Sequence, residues 1–114
     1  MASLYPEQQL KRRVMAWATR IKVNPQQVVI AEMPKKWGTC TSEGIVTFAD
    51  ELAETDESFQ DYVIVHELLH LRYRTHGKRF HAMMSALVPN WRELESQSQH
   101  TTETSGPRRY GTEA

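Results

Sequence analysis

The sequence predicts an α+β domain: a helix first, then a short sheet of about three strands, then helices to the end of the folded part. Three observations predict that class. An apolar stripe at helical spacing opens the chain, short strand-forming runs separated by turn residues follow, and helical periodicity returns in a second half that holds all five histidines.

The first helix is read from Leu10, Val14, Trp17 and Ile21, spaced by four, three and four residues. Pro6 suits its first turn, where a missing N–H costs nothing, and Glu7 suits the positive end of the helix dipole. The residue before a proline avoids helical geometry, so the helix should end before Asn24-Pro25. "QVVIAEM" reads as a strand, and "PKKWGTCTSEGIVTF" as two more with a turn at Ser42-Glu43-Gly44. A second helix is expected with Thr55 as N-cap, running through Phe59, Tyr62, Val63, His66, Leu69 and His70 and stopping near Gly77. "KRFHAMMSALV" forms a short helix closing at Pro89, and "NWREL" adds a turn or two. From Ser96 to Ala114 only Tyr110 is aromatic and no aliphatic side chain exceeds alanine. Such a segment cannot bury enough surface to offset its ordering entropy, so residues 1–95 are expected to form one domain and 96–114 a disordered tail.

Composition narrows the function. The 114 residues are 39% hydrophobic and 25% charged, as in ordinary globular domains. Fourteen basic and fourteen acidic side chains cancel, so no overall field points to nucleic acid or a membrane. Locally the charge is uneven: eight acids and no Lys or Arg lie between Trp37 and Leu71, then four basic residues between Arg72 and Arg79. A single cysteine, Cys40, excludes an internal disulfide framework and suits a reducing cytoplasm. The N-terminus lacks a signal-peptide pattern, and no apolar run reaches the roughly 20 residues of a membrane span.

The chemistry lies in "VIVHELLHLRYRTHGKRFHAMM", where four of the five histidines fall within 22 residues. His66-Glu67-Leu68-Leu69-His70 is an H-E-x-x-H pattern. On a helix, residues i and i+4 share a face, so both imidazoles can reach one metal ion. Glu67 then projects beside the ion, where it can take a proton from the water the ion activates. The flanking Val63, Ile64, Val65, Leu68, Leu69 and Leu71 argue for a buried helix rather than one with two solvent-facing histidines. Buried imidazoles need partners, and a metal supplies one for each. A catalytic zinc requires a third protein ligand, and His76, His81 and Cys40 are available. His76 is favoured because it stands directly before Gly77, where the chain can turn back. That requires a helix break between Arg74 and Gly77, since six residues of unbroken helix would point it away.

With these residues the chain resembles the YgjP-like minimal zinc metallopeptidases, relatives of the SprT/Spartan group. Trp37, Gly38 and Cys40 in "KWGTCTSEGIVTFADEL" match that family's strand element. "DYVIVHELLHLRYRTH" matches its zinc helix, "HGKRF" the start of the next helix, and "LVPNWRE" a proline-capped helix end. The resemblance covers about Leu10 to Glu95. It implies a zincin-like fold with a small twisted sheet over an active-site helix, zinc held by His66, His70 and His76, and Glu67 as general base. Departures are Thr39 where the family has serine, Lys36 where it has arginine, and no asparagine after the strand in "TFADEL". Family members often also carry an N-terminal β region not seen in this sequence. The His70–His76 spacing equals that of metzincins, but Tyr73 stands where they have glycine.

The remaining residues have plainer roles. Cys40 reads as a small buried hydrophobe, although it could approach the metal as a fourth ligand. Trp17 and Trp37 read as core, Trp91 as a helix-end cover, and Met83 and Met84 as packing. His81, Tyr73, Tyr62 and Arg72 are candidates to stabilise an oxyanion, with His81 first. The expected activity is peptide-bond hydrolysis by a zinc-activated water, by a monomer acting on a peptide or protein laid along the sheet edge near "KWGTC". Two alternatives stand beside it. One is a DNA-associated protease, suggested by Arg72, Arg74, Lys78 and Arg79 but unsupported by net charge. The other is a non-catalytic, zinc-stabilised interaction domain, against which an intact Glu67 argues.

Overall fold

A computed structural model describes the chain over residues 5–98. Helix α1 (Pro6–Ile21) begins with Pro6 in its first turn, and the Gln8 side-chain oxygen accepts the Tyr5 backbone N–H at 3.1 Å. Its buried stripe is Leu10, Val14, Ala18 and Ile21. Ala18 therefore takes the core position expected of Trp17, which lies half-buried at the stripe's border. The indole accounts for this, because its N–H needs a polar partner and donates to Asp61 at 2.8 Å. Arg13 donates to the same carboxylate at 2.9 Å, so Asp61 ties α1 to the helix that carries the histidines. Helix α1 ends at Lys22, whose N–H bonds the Ala18 carbonyl.

Strands β1 (Gln27–Ala31), β2 (Gly38–Cys40) and β3 (Ile45–Ala49) form one sheet in the order β1-β3-β2. β1 and β3 are parallel, pairing Gln27 with Ile45 through Ala31 with Ala49. β2 and β3 are antiparallel, pairing Gly38 with Phe48 and Cys40 with Val46. The turn between them falls at the expected place. Gly44 adopts φ 90, a conformation open to glycine without a Cβ clash, and its N–H bonds the Thr41 carbonyl at 3.0 Å. The topology leaves β2 on an edge.

A 3-10 turn (Asp50–Glu54), which the sequence patterns do not announce, leads into α2 (Glu57–Leu69). The N-cap of α2 is Asp56 and not Thr55. Thr55 instead closes the 3-10 turn, its hydroxyl donating to the Leu52 carbonyl at 2.8 Å. Every residue of α2 from Tyr62 to Leu69 is buried. Sheet, α1 and the two later helices, α3 (Lys78–Leu87) and α4 (Trp91–Ser98), pack around it. The α+β class and the element order agree with expectation. The expected tail begins inside α4, whose helix continues to Ser98, and residues 99–114 lie outside the described residues.

Because Asp61 joins Arg13 and Trp17 across two helices, Asp61→Ala should cost about 1–3 kcal/mol by leaving the Trp17 indole N–H without its acceptor and Arg13 with Glu57 alone. Urea unfolding monitored by tryptophan fluorescence checks this, with a lowered midpoint and an unchanged slope expected.

Candidate metal centre and active-site cleft

The last turn of α2 delivers the site. His66 and Glu67 are 5% and 4% exposed, fixed among apolar neighbours on the same helix. His70 is the C-cap and keeps right-handed helical geometry (φ −67, ψ −14), so it retains the one-turn relation to His66. The helix thus ends at Leu69, well before the expected stop near Gly77. The Leu69 carbonyl accepts the N–H groups of both Arg72 and Tyr73, at 2.9 and 2.8 Å, and this tightens the chain into a loop. The break that His76 requires is therefore present, but earlier in the chain.

The loop has two consequences for the imidazoles. The Tyr73 carbonyl lies 3.0 Å from Nδ1 of His70 and accepts its proton. That fixes the tautomer and leaves Nε2 as a lone pair available to a metal. The loop also returns His76, whose Nε2 lies 3.0 Å from Nε2 of His70. One nitrogen from each of His66, His70 and His76 lies within 4.8 Å of the others. Tetrahedral zinc with bonds of about 2.0–2.1 Å would set such nitrogens about 3.3 Å apart, so the set fits with small adjustment. Burial, then the neighbouring His66 and His70, lower the pKa of His76 to about 4. His70 is also held below its ordinary value, chiefly by burial. Both rings are therefore neutral at pH 7, the form that ligates.

Phe80 of α3 is the support beneath the set. Its ring lies 5.2, 4.9 and 4.8 Å from the rings of His66, His70 and His76 and is itself 2% exposed. Sequence reasoning placed Phe80 only within a family element. His76 lies in the loop before α3, so no local spacing in the sequence marks Phe80 as the ring that meets all three imidazoles.

Glu67 is positioned by the sheet. β2 runs so close to α2 that a Cβ on Gly38 would lie 3.0 Å from Cγ of Glu67 and 3.2 Å from the Thr47 carbonyl. Glycine is needed there for space, since its backbone conformation is ordinary. The carboxylate Oε2 stands 3.4 Å from Nδ1 of His66.

Among the described residues, neither Cys40 nor His81 joins the cluster of possible metal ligands. Cys40 is half-buried on β2, and burial, with the Glu67 charge second, raises its thiol to about 11, so at neutral pH it is protonated. His81 stacks flat on Trp91 at 5.3 Å, and Trp91 donates its indole N–H to Ser85 at 3.1 Å. Of the four oxyanion candidates, Arg72 lines the cleft over the histidines, while Tyr62, Tyr73 and His81 do not. Tyr62 is fully buried, and burial, with Glu95 and Glu67 behind it, raises its phenol well above the ordinary range. The cleft measures about 740 Å³, with His66, Glu67, His70 and His76 among its lining and the β2–β3 turn forming one wall.

The family model of the YgjP-like metallopeptidase domain matches residues 5–100. The chain belongs to this family. Membership implies a metal cofactor, and the three histidines are a set able to bind one. The metallopeptidase zymogen jannalysin of Methanocaldococcus jannaschii superposes with a TM-score of 0.68 at 21% identity, covering 77% of this chain and 91% of its own. The metallopeptidase zymogen abylysin of Pyrococcus abyssi gives 0.72 at 16% identity, covering 87% and 98%. These likenesses establish a shared zincin-like fold. No curated protein matches the chain. No helix among the described residues is long and apolar enough to cross a membrane.

Two outcomes follow for this metallopeptidase domain. His76→Ala, purified without added metal, should lose most of its bound metal by native mass spectrometry while the wild type keeps one ion per chain. Gly38→Ala should keep its metal but displace Glu67, with a stability cost of about 1–3 kcal/mol and a larger fractional loss of any hydrolytic activity. Thermal melting and metal content, measured together, separate these effects.

Proposed function

We propose that the chain is a zinc-dependent endopeptidase in which His66, His70 and His76 hold the metal and Glu67 is the general base. The observation that carries this reading is the convergence of three imidazole nitrogens beside a buried carboxylate in an open cleft. Bound there, zinc would supply Lewis acidity to the scissile carbonyl and bring the pKa of water to about 7. Glu67 takes the proton of the attacking water and hands it to the leaving amine. Its reach is limited on one side by β2, where a Cβ at residue 38 would lie 3.0 Å from its Cγ. The Tyr73 carbonyl keeps the Nδ1 proton of His70 on the side away from the ligating nitrogen. Arg72, on the cleft wall, is the best placed of the oxyanion candidates to meet developing negative charge.

The substrate is a peptide or protein segment in extended form. β2 lies on the sheet edge beside the cleft, so such a segment can add to it antiparallel, using main-chain hydrogen bonds for affinity. The same reading has the chain act as a monomer in a reducing cytoplasm, where its single thiol is not drawn into disulfides.

Glu67→Gln preserves size and hydrogen-bonding capacity but cannot accept the proton. It should retain one zinc per chain and lose about 10²–10⁴-fold in kcat/KM on a peptide that the wild type cleaves. Wild-type cleavage by this variant would remove Glu67 from the base role.

A further inference from the structure

The cleft over the histidines is walled by cations that the hydrolytic roles leave mostly unused. Lys22, Lys36, Arg72 and Arg74 line it, against two carboxylates, Glu43 and Glu67. All four cations are exposed, and among the described residues none lies within ion-pair distance of an acid. They come from the end of α1, the approach to β2 and the loop after α2, so the patch exists only once the chain is folded. Acids gather elsewhere: Glu7, Glu32, Asp50, Glu51 and Glu54 line a separate groove at the start of α1. A formal net charge of zero therefore conceals a polarised surface.

Lys22 provides an independent observation. It sits in the left-handed region at φ 68 and ψ 49, and no other described non-glycine residue has a positive φ. Glycine takes that conformation without a Cβ clash and is the usual residue after a helix end, so folding does not call for lysine here. Arg72 is fixed beside it, with Nη1 donating to the Ile21 carbonyl at 3.3 Å, one of the last carbonyls of α1. A strained lysine and a tethered arginine thus stand together on one wall of the cleft.

We propose that the cleft selects peptides with acidic side chains flanking the scissile bond, held by Lys22, Lys36, Arg72 and Arg74. The position of the scissile bond rests on the peptidase reading above. An acidic peptide fits better than a phosphate backbone because the cations surround the same floor that the reacting carbonyl must reach. A polynucleotide lying there would fill the cleft and exclude the substrate. Single exposed charge pairs contribute little, but several converging on one cleft steer encounter and add up.

The test uses matched quenched-fluorescent peptides with Glu, Gln or Lys flanking a common scissile bond, and the zinc-loaded full chain. The Glu peptide should exceed the Gln peptide by about tenfold or more in kcat/KM at low salt, with the Lys peptide lowest and the preference shrinking as salt rises. Lys22→Gly and Arg74→Gln should move the Glu-to-Gln ratio toward one. Lys11→Gln, an equal charge change on the exposed face of α1, should leave that ratio in place. Lys22→Gly relieves the left-handed strain, so a lost preference there does not reflect misfolding. Equal cleavage of the three peptides overturns the proposal.

Binding of the same peptides to Glu67→Gln by fluorescence anisotropy separates this inference from the peptidase reading. If nothing is cleaved but the Glu peptide binds about tenfold tighter in a Lys22-dependent way, the acidic-peptide site stands and the peptidase reading falls. Equal binding of the Glu and Gln peptides overturns the site. A single-stranded DNA oligonucleotide of equal charge that binds more tightly and displaces the Glu peptide overturns it in favour of nucleic acid.

Discussion

The last turn of α2 carries an imidazole and a carboxylate into a region where its neighbours Val63, Ile64, Val65, Leu68 and Leu69 are fully buried and apolar. Buried polar groups cost free energy unless they are matched, and charged ones cost more. Much of the surrounding structure answers that requirement. Tyr62 and Phe80 press aromatic rings against His66, His70 lies one turn on, and the following loop brings back His76. β2 is drawn in so far that a Cβ at residue 38 would lie 3.0 Å from Cγ of Glu67. An ion at the three nitrogens would complete the match, which is why metal binding and folding are expected to be coupled here.

The same arrangement builds an open cleft from a short sheet and one loop. Among the described residues the sheet has three strands and β2 pairs with β3 alone, so its outer edge is left beside the histidines. The opposite wall is the loop after α2, anchored to the end of α1 by the bond from Arg72 to the Ile21 carbonyl. Asp61 braces α1 and α2 farther along, through Arg13 and Trp17. His66 and Glu67 are therefore buried at the floor, His70 and His76 are half-buried, and the cations of the walls are exposed.

Much of this is legible in the sequence, and the differences have physical causes. Leu10, Val14 and Ile21 are buried as the stripe predicts, while Trp17 packs only at the border of the core because periodicity does not register an indole N–H seeking a carboxylate. The cap of α2 shifted by one residue because Thr55 and Asp56 are both good caps, and the 3-10 turn claimed the first. The helix end was placed too late because its decisive features, the Leu69 carbonyl shared by two N–H groups and the Tyr73 carbonyl turned onto His70, involve backbone atoms that every sequence has.

By itself the sequence determined the α+β class, the order of the elements, and the presence of His66, Glu67 and His70 on one helical face. These follow from local spacing, which fixes direction along a helix or strand whatever surrounds it. It also pointed to His76 through the need for a break before Gly77. Only the tertiary structure decided that His76 returns to within 3.0 Å of His70, that Phe80 underlies all three rings, and that Gly38 is glycine for want of space. It also gathered Lys22, Lys36, Arg72 and Arg74 around one cleft. Those features join residues from separate segments, and their distances are set by packing, which no local pattern encodes.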